Sequence, residues 1–287
     1  MLVATLALLS SVALAQHDNP VERIDCPGQV VLAMLPSARQ SPVIELDIGG
    51  EKYKFALDTG AAGGRVSPEI VRRLGLKPVG KAQAGDPSGK NSVDVSLYRI
   101  PKIKAGGATL YGVEMFSDDG VAPHGAAPHF DGVIGYAVFH DLLLTLDYPH
   151  SRVVLTPGPM SADQFKRSIP YKLEHGLPLL EVQVGDVKVG GHVDSGSDGA
   201  LSIPAKFKSR LHLVGEPRKI GQARTLFNTI DIYLAKVTDP ISVGGMKLPI
   251  DQVELHDLFP FANIGGRVLR KFAVTIEQKR HRILFES

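Results

Sequence analysis

Two short segments of this 287-residue chain place a carboxylate directly before a hydroxyl and a glycine. The first segment is Asp58-Thr59-Gly60-Ala61, and the second is Asp194-Ser195-Gly196-Ser197. Two aspartates held about 3 Å apart cannot both be ionised, so they share one proton and titrate as a coupled pair. One carboxylate can then act as a base toward water while the other donates a proton to a carbonyl oxygen. This chemistry requires no metal, no cofactor and no covalent intermediate.

An internal repeat puts the two segments at equivalent positions. Residues 42–60 align without a gap onto residues 178–196, an offset of 136. A second block beginning at Val133 aligns with one beginning at Asn263, an offset of 130. This period is longer than the roughly 20–50 residues of a solenoid unit, and it indicates a duplicated lobe. A duplicated lobe produces a pseudo-two-fold axis, so we expect Asp58 to meet Asp194.

The elements that must position these residues are predicted to be strands. The chain contains 30 Gly and 20 Pro, which suits many short strands joined by tight turns. Residues 43–48 alternate in polarity, and Gly49-Gly50 then leads into residues 52–57, which predicts a β-hairpin. Short helices are expected at residues 68–74 and 205–211, each beginning near a proline. The fold class is therefore predicted to be all-β.

The paired Asp-Thr/Ser-Gly segments, each followed about 70 residues later by an Ile-Gly pair, resemble the aspartic peptidases. Each repeat resembles a retropepsin subunit, so the chain resembles a fused retropepsin-like dimer. The resemblance implies a bilobal acid-protease fold of two β-barrel lobes related by a pseudo-two-fold axis. It also implies catalytic roles for Asp58 and Asp194.

The resemblance assigns supporting roles to the neighbouring residues. Gly60 and Gly196 would let the two loops approach closely, and the hydroxyls of Thr59 and Ser195 would bond across to the opposite loop. Two apolar-glycine segments would pack beneath the catalytic loops; they are Ile134-Gly135 and Ile264-Gly265. Asn263 stands where the family usually has an apolar residue.

A hydroxyl that follows the glycine can donate to the neighbouring aspartate and stabilise its charged form. Ser197 provides such a hydroxyl and Ala61 does not. We therefore expect an asymmetric pair of aspartates and a weakly acidic pH optimum.

The family also closes a hairpin flap over its substrate, and each repeat has a polar, turn-rich candidate. The flap candidates are Gly85, Asp86, Pro87, Ser88 and Gly89 in the first repeat and Gly221, Gln222 and Ala223 in the second.

The domain organisation follows from the repeat and from the first residues. Residues 1–15 are apolar, lack charge and end Ala13-Leu14-Ala15, which is typical of a signal peptide. We expect an N-terminal segment at 16–41, a first lobe at 42–156, a connector at 157–177 and a second lobe at 178–287. The protein is expected to be exported, to the periplasm or outside the cell, and to be a monomer with an internal pseudo-dimer.

Composition excludes several other classes. The net charge is +2 and the charges are interspersed, which argues against nucleic acid as a partner. Cys26 is the single cysteine, so neither an intrachain disulfide nor a cysteine-based metal cluster can form. His124 and His129 share a Gly/Pro-rich loop but lack neighbouring carboxylates, and no metal site is predicted there.

Three functions are compatible with these observations. The first is an aspartic endopeptidase acting on extended peptides, and we favour it because both repeats retain the Asp, hydroxyl and Gly. The second is a catalytically silent relative that binds peptide or envelope components in the interlobe cleft. The third is an unrelated β-sandwich protein whose Asp turns are coincidental, and the repeat argues against it.

Overall fold

A computed structural model describes residues 4–7, 20–37, 41–85, 92–117, 130–174, 176–224, 229–257 and 259–287. Most of these residues lie in strands. In the first half of the chain the strands are β1 (Ala4–Ala7), β2 (Arg23–Asp25), β3 (Val30–Ala33), β4 (Val43–Ile48), β5 (Glu51–Asp58), β6 (Gly64–Val66), β7 (Pro78–Gly85), β8 (Ser92–Ala105), β9 (Ala108–Ser117), β10 (Gly132–Gly135), β11 (Leu142–Asp147) and β12 (Arg152–Pro157).

The second half continues the same all-β organisation. Its strands are β13 (Ile169–Pro170), β14 (Lys172–Glu174), β15 (Leu177–Val184), β16 (Val187–Val193), β17 (Leu201–Pro204), β18 (Arg218–Arg224), β19 (Thr229–Lys236), β20 (Ile241–Val243), β21 (Met246–Lys247), β22 (Gln252–His256), β23 (Ala262–Ile264), β24 (Ala273–Glu277) and β25 (Arg282–Glu286). The helices are α1 (Pro68–Arg73), α2 (Ala162–Arg167) and α3 (Gly266–Leu269), with 3₁₀ turns at Tyr136–Phe139 and Ala205–Arg210.

The first repeat folds into a closed six-stranded barrel, here called the first-repeat barrel. Its strands pair in the order β9-β6-β10-β5-β4-β8, and β8 pairs again with β9. The predicted hairpin is β4–β5, with both turn glycines at positive φ (+65° at Gly49 and +86° at Gly50). Ile44, Leu46 and Phe55 are completely buried inside the barrel. The barrel and the strand content confirm the all-β, barrel-based fold class.

The second repeat forms a sheet with the same pairing order, here called the second-repeat sheet. Its order is β15-β16-β23-β17-β22-β19. Read from β4, the first-repeat barrel has the equivalent order β4-β5-β10-β6-β9-β8. The first repeat closes its barrel with one continuous strand, β8, whereas the second divides the equivalent path into β19 and β20.

A six-stranded sheet joins the two repeats in the order β13-β25-β24-β11-β12-β3. At its centre β11 and β24 are antiparallel, with Thr145 opposite Thr275. These residues are equivalent at the offset of 130, so the two strands meet at their own repeat partners. Thr145 Oγ1 and Thr275 Oγ1 lie 2.8 Å apart and are hydrogen bonded. Strand β3 comes from the segment 16–41, which therefore contributes to this sheet.

The helices can be compared with the capping and proline signals that predict them. Helix α1 occupies the predicted position, with Ser67 accepting a hydrogen bond from Ile70 N as the N-cap and Pro68 in the first turn. The stretch predicted as a second helix is a 3₁₀ turn over Ala205–Arg210. Helix α2, in the connector, was not predicted, although Ser161 and Gln164 form a capping box that signals it.

Strand β1 lies within the segment predicted to be a signal peptide. It pairs in parallel with β18, placing Ala4 opposite Gly221 and Ala7 opposite Arg224. Over the part of the chain that the structure describes, no helix is both long and apolar enough to span a bilayer.

Candidate active site

The two aspartates lie at the ends of equivalent strands. Asp58 is the last residue of β5, and Asp194 directly follows β16. A parallel neighbour supports each strand: Gly135 of β10 lies opposite Asp58, and Ile264 of β23 lies opposite Val193. Both side chains are buried, with 1% of Asp58 and 8% of Asp194 exposed. Each repeat thus delivers one carboxyl group into the interior.

Each glycine turn packs directly against the opposite carboxyl group. A Cβ atom built on Gly60 would lie 2.7 Å from the carboxyl carbon of Asp194. One built on Gly196 would lie 2.5 Å from the carboxyl carbon of Asp58. Both distances are shorter than any real Cβ contact, so only glycine allows this approach. The reciprocal contacts bring the two carboxyl groups together, as expected from the repeat.

Thr59 and Ser195 lock the two turns to each other through four hydrogen bonds. Thr59 Oγ1 donates to Val193 O (2.7 Å) and accepts from Ser195 N (2.9 Å). Ser195 Oγ donates to Leu57 O (2.8 Å) and accepts from Thr59 N (2.9 Å). Each hydroxyl therefore uses both its donor and its acceptor capacity on the opposite repeat. Both residues are completely buried, so these bonds form away from solvent.

The Ile-Gly segments lie against the same turns. A Cβ atom on Gly135 would come within 2.4 Å of Ala61 O, and one on Gly265 within 2.5 Å of Gly199 O. Ile134 and Ile264 are completely buried in the main hydrophobic core. The glycines permit close backbone packing here, while the isoleucines anchor β10 and β23.

The hydrogen bonds to the two carboxyl groups differ. Asp58 Oδ1 accepts from its own turn, from Gly60 N at 2.8 Å. Asp194 Oδ2 accepts from a side chain, Asn263 Nδ2, at 2.8 Å. Ser197 Oγ, expected to donate to an aspartate, accepts a hydrogen bond from Gly199 N at 3.2 Å. The asymmetry between the aspartates thus has a side-chain donor that the sequence did not predict.

Burial and mutual repulsion set the protonation of the pair. Burial, followed by the charge of Asp194, raises the pKa of Asp58 well above its usual value. Burial also raises the pKa of Asp194, but the hydrogen bond from Asn263 opposes that effect. Burial and mutual repulsion therefore both favour a pair that keeps one proton over a pair in which both carboxyl groups are ionised. One neutral carboxyl group and one carboxylate are the two forms that acid/base hydrolysis requires.

Hairpins extend from each repeat in the regions predicted to be flaps. In the first repeat β7 pairs with β8 up to Gly85 opposite Ser92, and the candidates Asp86, Pro87, Ser88 and Gly89 lie outside the described residues. In the second repeat the candidates Gly221, Gln222 and Ala223 lie inside strand β18, paired with β19. These three candidates are therefore strand residues, and residues 225–228 between β18 and β19 lie outside the described residues. His124 and His129 also lie outside the described residues.

A buried polar face in the second-repeat sheet was not predicted. His256 Nε2 lies 2.8 Å from Ser202 Oγ, and burial lowers the pKa of His256 to about 4. Glu254, two residues earlier on the same strand, is also buried, and burial raises its pKa. The His192 ring packs 3.8 Å from the Phe261 ring, measured between centroids. The alternation in β22 that puts Glu254 and His256 on one face was the available sequence signal.

Comparison with known proteins agrees with the chemistry of this site. Residues 44–138 match a family model described as aspartyl protease. The matched range includes Asp58 and the Ile134-Gly135 segment, and it supports an aspartic peptidase, a hydrolase, as the general class. No curated protein matches the chain.

Proposed function

We propose that this protein is an aspartic endopeptidase in which Asp58 and Asp194 together activate a water molecule. The observation that carries the proposal is the reciprocal packing of each carboxyl group on the opposite glycine turn, locked by Thr59 and Ser195. The two repeats then act as retropepsin-like lobes within one chain. Extended peptides, lying between the lobes, are the proposed substrates.

The proposed reaction needs only the two carboxyl groups. The ionised aspartate takes a proton from water as the water oxygen attacks the scissile carbonyl carbon. The neutral aspartate gives its proton to the carbonyl oxygen, which produces a gem-diol. The first aspartate then passes its proton to the leaving amine, the C–N bond breaks, and a gem-diol hydroxyl returns a proton to the second aspartate. The pair ends the cycle with the single proton it began with.

The pairing of the two carboxyl groups favours catalysis over simple binding. A buried pair of carboxyl groups disfavours ionisation and costs folding free energy whenever both groups are charged. Binding a peptide requires no such pair, whereas acid/base hydrolysis does. The catalytically silent, peptide-binding protein is therefore the alternative that the experiment must separate.

The test uses the chain from Gln16 onward with a mixture of unstructured peptides between pH 3 and 7. We expect cleavage that Asp58→Asn and Asp194→Asn each abolish, with the cut sites identified by mass spectrometry. Asp251→Asn is the matched control, since its side chain is 61% exposed and distant in sequence from both turns. If the wild type is inactive throughout while still binding peptide, the silent alternative replaces the peptidase. Cleavage that survives both substitutions assigns the activity to another site.

We further propose that residues 1–15 direct export and are removed. The first residue of the protein recovered from a periplasmic or extracellular fraction should then be Gln16, as read by N-terminal sequencing. Light scattering should give one chain per particle, because the second carboxyl group is already supplied by the same chain. Recovery of the intact N-terminus in the cytoplasm would refute the proposed export.

A further inference from the structure

The two repeats differ at one position beside the aspartates. Asn263 of β23 and Val133 of β10 are equivalent at the offset of 130. Asn263 lies opposite His192, two residues before Asp194, and Val133 lies opposite Ala56, two residues before Asp58. Both side chains are buried, with 5% of Asn263 and 4% of Val133 exposed. Only the second repeat therefore places a polar side chain at this point.

The amide of Asn263 is directed at Asp194. Its Nδ2 donates to Asp194 Oδ2 at 2.8 Å, while its Oδ1 has no hydrogen-bond partner among the described residues. A buried amide oxygen without a partner destabilises the fold relative to valine at the same place. This cost to stability indicates that the function of Asn263 lies in the hydrogen bond that its Nδ2 donates to Asp194. Hydrogen bonds from an amide to a charged carboxylate are stronger than those to a neutral carboxyl group.

We propose that Asn263 is a positioning residue that holds Asp194 in its ionised form and thereby assigns the shared proton to Asp58. The inference rests on the proposed peptidase function, and it assigns the roles of base and acid to the two aspartates. Asp194 is the base that takes the proton from water, and Asp58 is the acid that donates to the carbonyl oxygen. Burial raises the pKa of Asp194 and the hydrogen bond from Asn263 lowers it, which agrees with this division of roles.

Other titratable groups surround the pair, and a pH measurement must distinguish their effects from the effect of Asn263. His192 of β16 lies opposite Asn263, and Tyr148 interacts electrostatically with both aspartates and with Arg270. Ser202 of β17 also lies opposite Asn263 and is bonded to His256, whose neighbour on the same face of β22 is Glu254. Glu254→Gln is therefore included as a control, because burial raises the pKa of Glu254.

The proposal predicts a shift in one limb of the pH–activity profile. Asn263→Val copies the first repeat and removes the donor from Asp194. The first deprotonation of the pair then becomes harder, so the acidic limb should move up by about one pH unit. The alkaline limb should stay, because the singly and doubly ionised forms both lose the same hydrogen bond. Glu254→Gln should leave the acidic limb in place. A purely structural role would lower activity at every pH without moving the limb.

Val133→Asn is the matched variant in the other repeat. It places an amide beside Asp58 and stabilises the doubly ionised pair, so the alkaline limb should move down while the acidic limb stays. Equal shifts of the same limb in Val133→Asn and Asn263→Val would overturn the assignment. If Asn263→Val does not fold, Asn263→Leu, which shares the branched shape of the asparagine side chain, takes its place.

A measurement that does not depend on activity separates this proposal from the peptidase proposal. In an Asp58→Asn background, Asp194 is the one member of the pair that still titrates, and ¹³C NMR follows its assigned carboxyl carbon. Adding Asn263→Val should raise that titration midpoint by about one pH unit. An unmoved midpoint would overturn the role of Asn263 even if the wild type cleaves peptides. A moved midpoint in an inactive wild type would support Asn263 while refuting the peptidase.

Discussion

At the scale of single residues, the candidate site depends on two glycines that have no side chain. Gly60 and Gly196 leave the space that the opposite carboxyl groups occupy, and any side chain there would displace them. The repeat in the sequence predicted that these two turns are equivalent and that they meet. It could not predict the bond from Asn263 to Asp194, because that bond depends on two strands 69 residues apart becoming parallel neighbours.

Gly60→Ala is expected to reduce peptide cleavage on the order of 100-fold, because a displacement of the Asp194 carboxyl group by about 1 Å misaligns the pair. The measurement is kcat/KM for a peptide identified by the cleavage screen. Gly28→Ala is the matched control, since no atom lies within 4 Å of the added Cβ there. Equal activity in the two variants would show that the glycine turn does not position the carboxyl group.

Thr59→Val is expected to lower the free energy of unfolding by about 1–3 kcal/mol, because Ser195 N loses its acceptor in a buried place. Thr59→Ser keeps the hydroxyl and is expected to stay closer to the wild type. Chemical denaturation of both variants measures the difference. If the serine variant is as unstable as the valine variant, the methyl group of Thr59 matters more than its hydrogen bonds.

At the scale of elements, the six-stranded sheet pairs strands of the two repeats with each other. Local patterns predicted the hairpin β4–β5 and helix α1, because alternation, turn glycines and an N-cap act over a few residues. The pairing of β11 with β24 joins residues 130 apart, and β3 reaches β12 from before the first repeat. No local pattern specifies such distant pairs, so this sheet was not predicted.

Leu144→Ala in β11 is expected to lower the free energy of unfolding by about 2–5 kcal/mol, since the side chain is completely buried. Val31→Ala in β3 of the same sheet is the control, because Val31 is 53% exposed, and it should change stability by less than about 0.5 kcal/mol. Urea denaturation measures both variants. Similar losses in the two would mean that strand propensity, rather than burial, stabilises the joining sheet.

At the scale of the whole molecule, the aspartate pair makes stability depend on pH. The pKa of Asp58 is higher in the folded than in the unfolded protein, so the folded state binds more protons as pH rises above about 4. The stability that this proton provides is complete below the unfolded pKa and is lost as pH rises through the folded pKa. The site therefore costs the molecule stability near neutral pH.

Asp58→Asn is accordingly expected to stabilise the protein at pH 7 more than at pH 4, as measured by the free energy of unfolding at both values. Asp147→Asn should instead lower the free energy of unfolding, and by more at pH 7 than at pH 4. Burial tends to raise the pKa of Asp147, but the hydrogen bonds from Arg152 and His150 outweigh that effect and lower it. Its contribution is present above the unfolded pKa and disappears as pH falls. The same sign for both variants would contradict this account.

The pairing of Thr145 with Thr275 has a consequence for how such a protein can change over time. Two strands that meet at their own repeat equivalents have the geometry of a symmetric homodimer, in which every inherited substitution appears twice. A single chain that contains both repeats is free of that constraint, so one repeat can acquire a change that the other does not share. Asn263 in the second repeat, at the position equivalent to Val133 in the first, is a difference of this kind, and two identical subunits encoded by one gene could not have produced it.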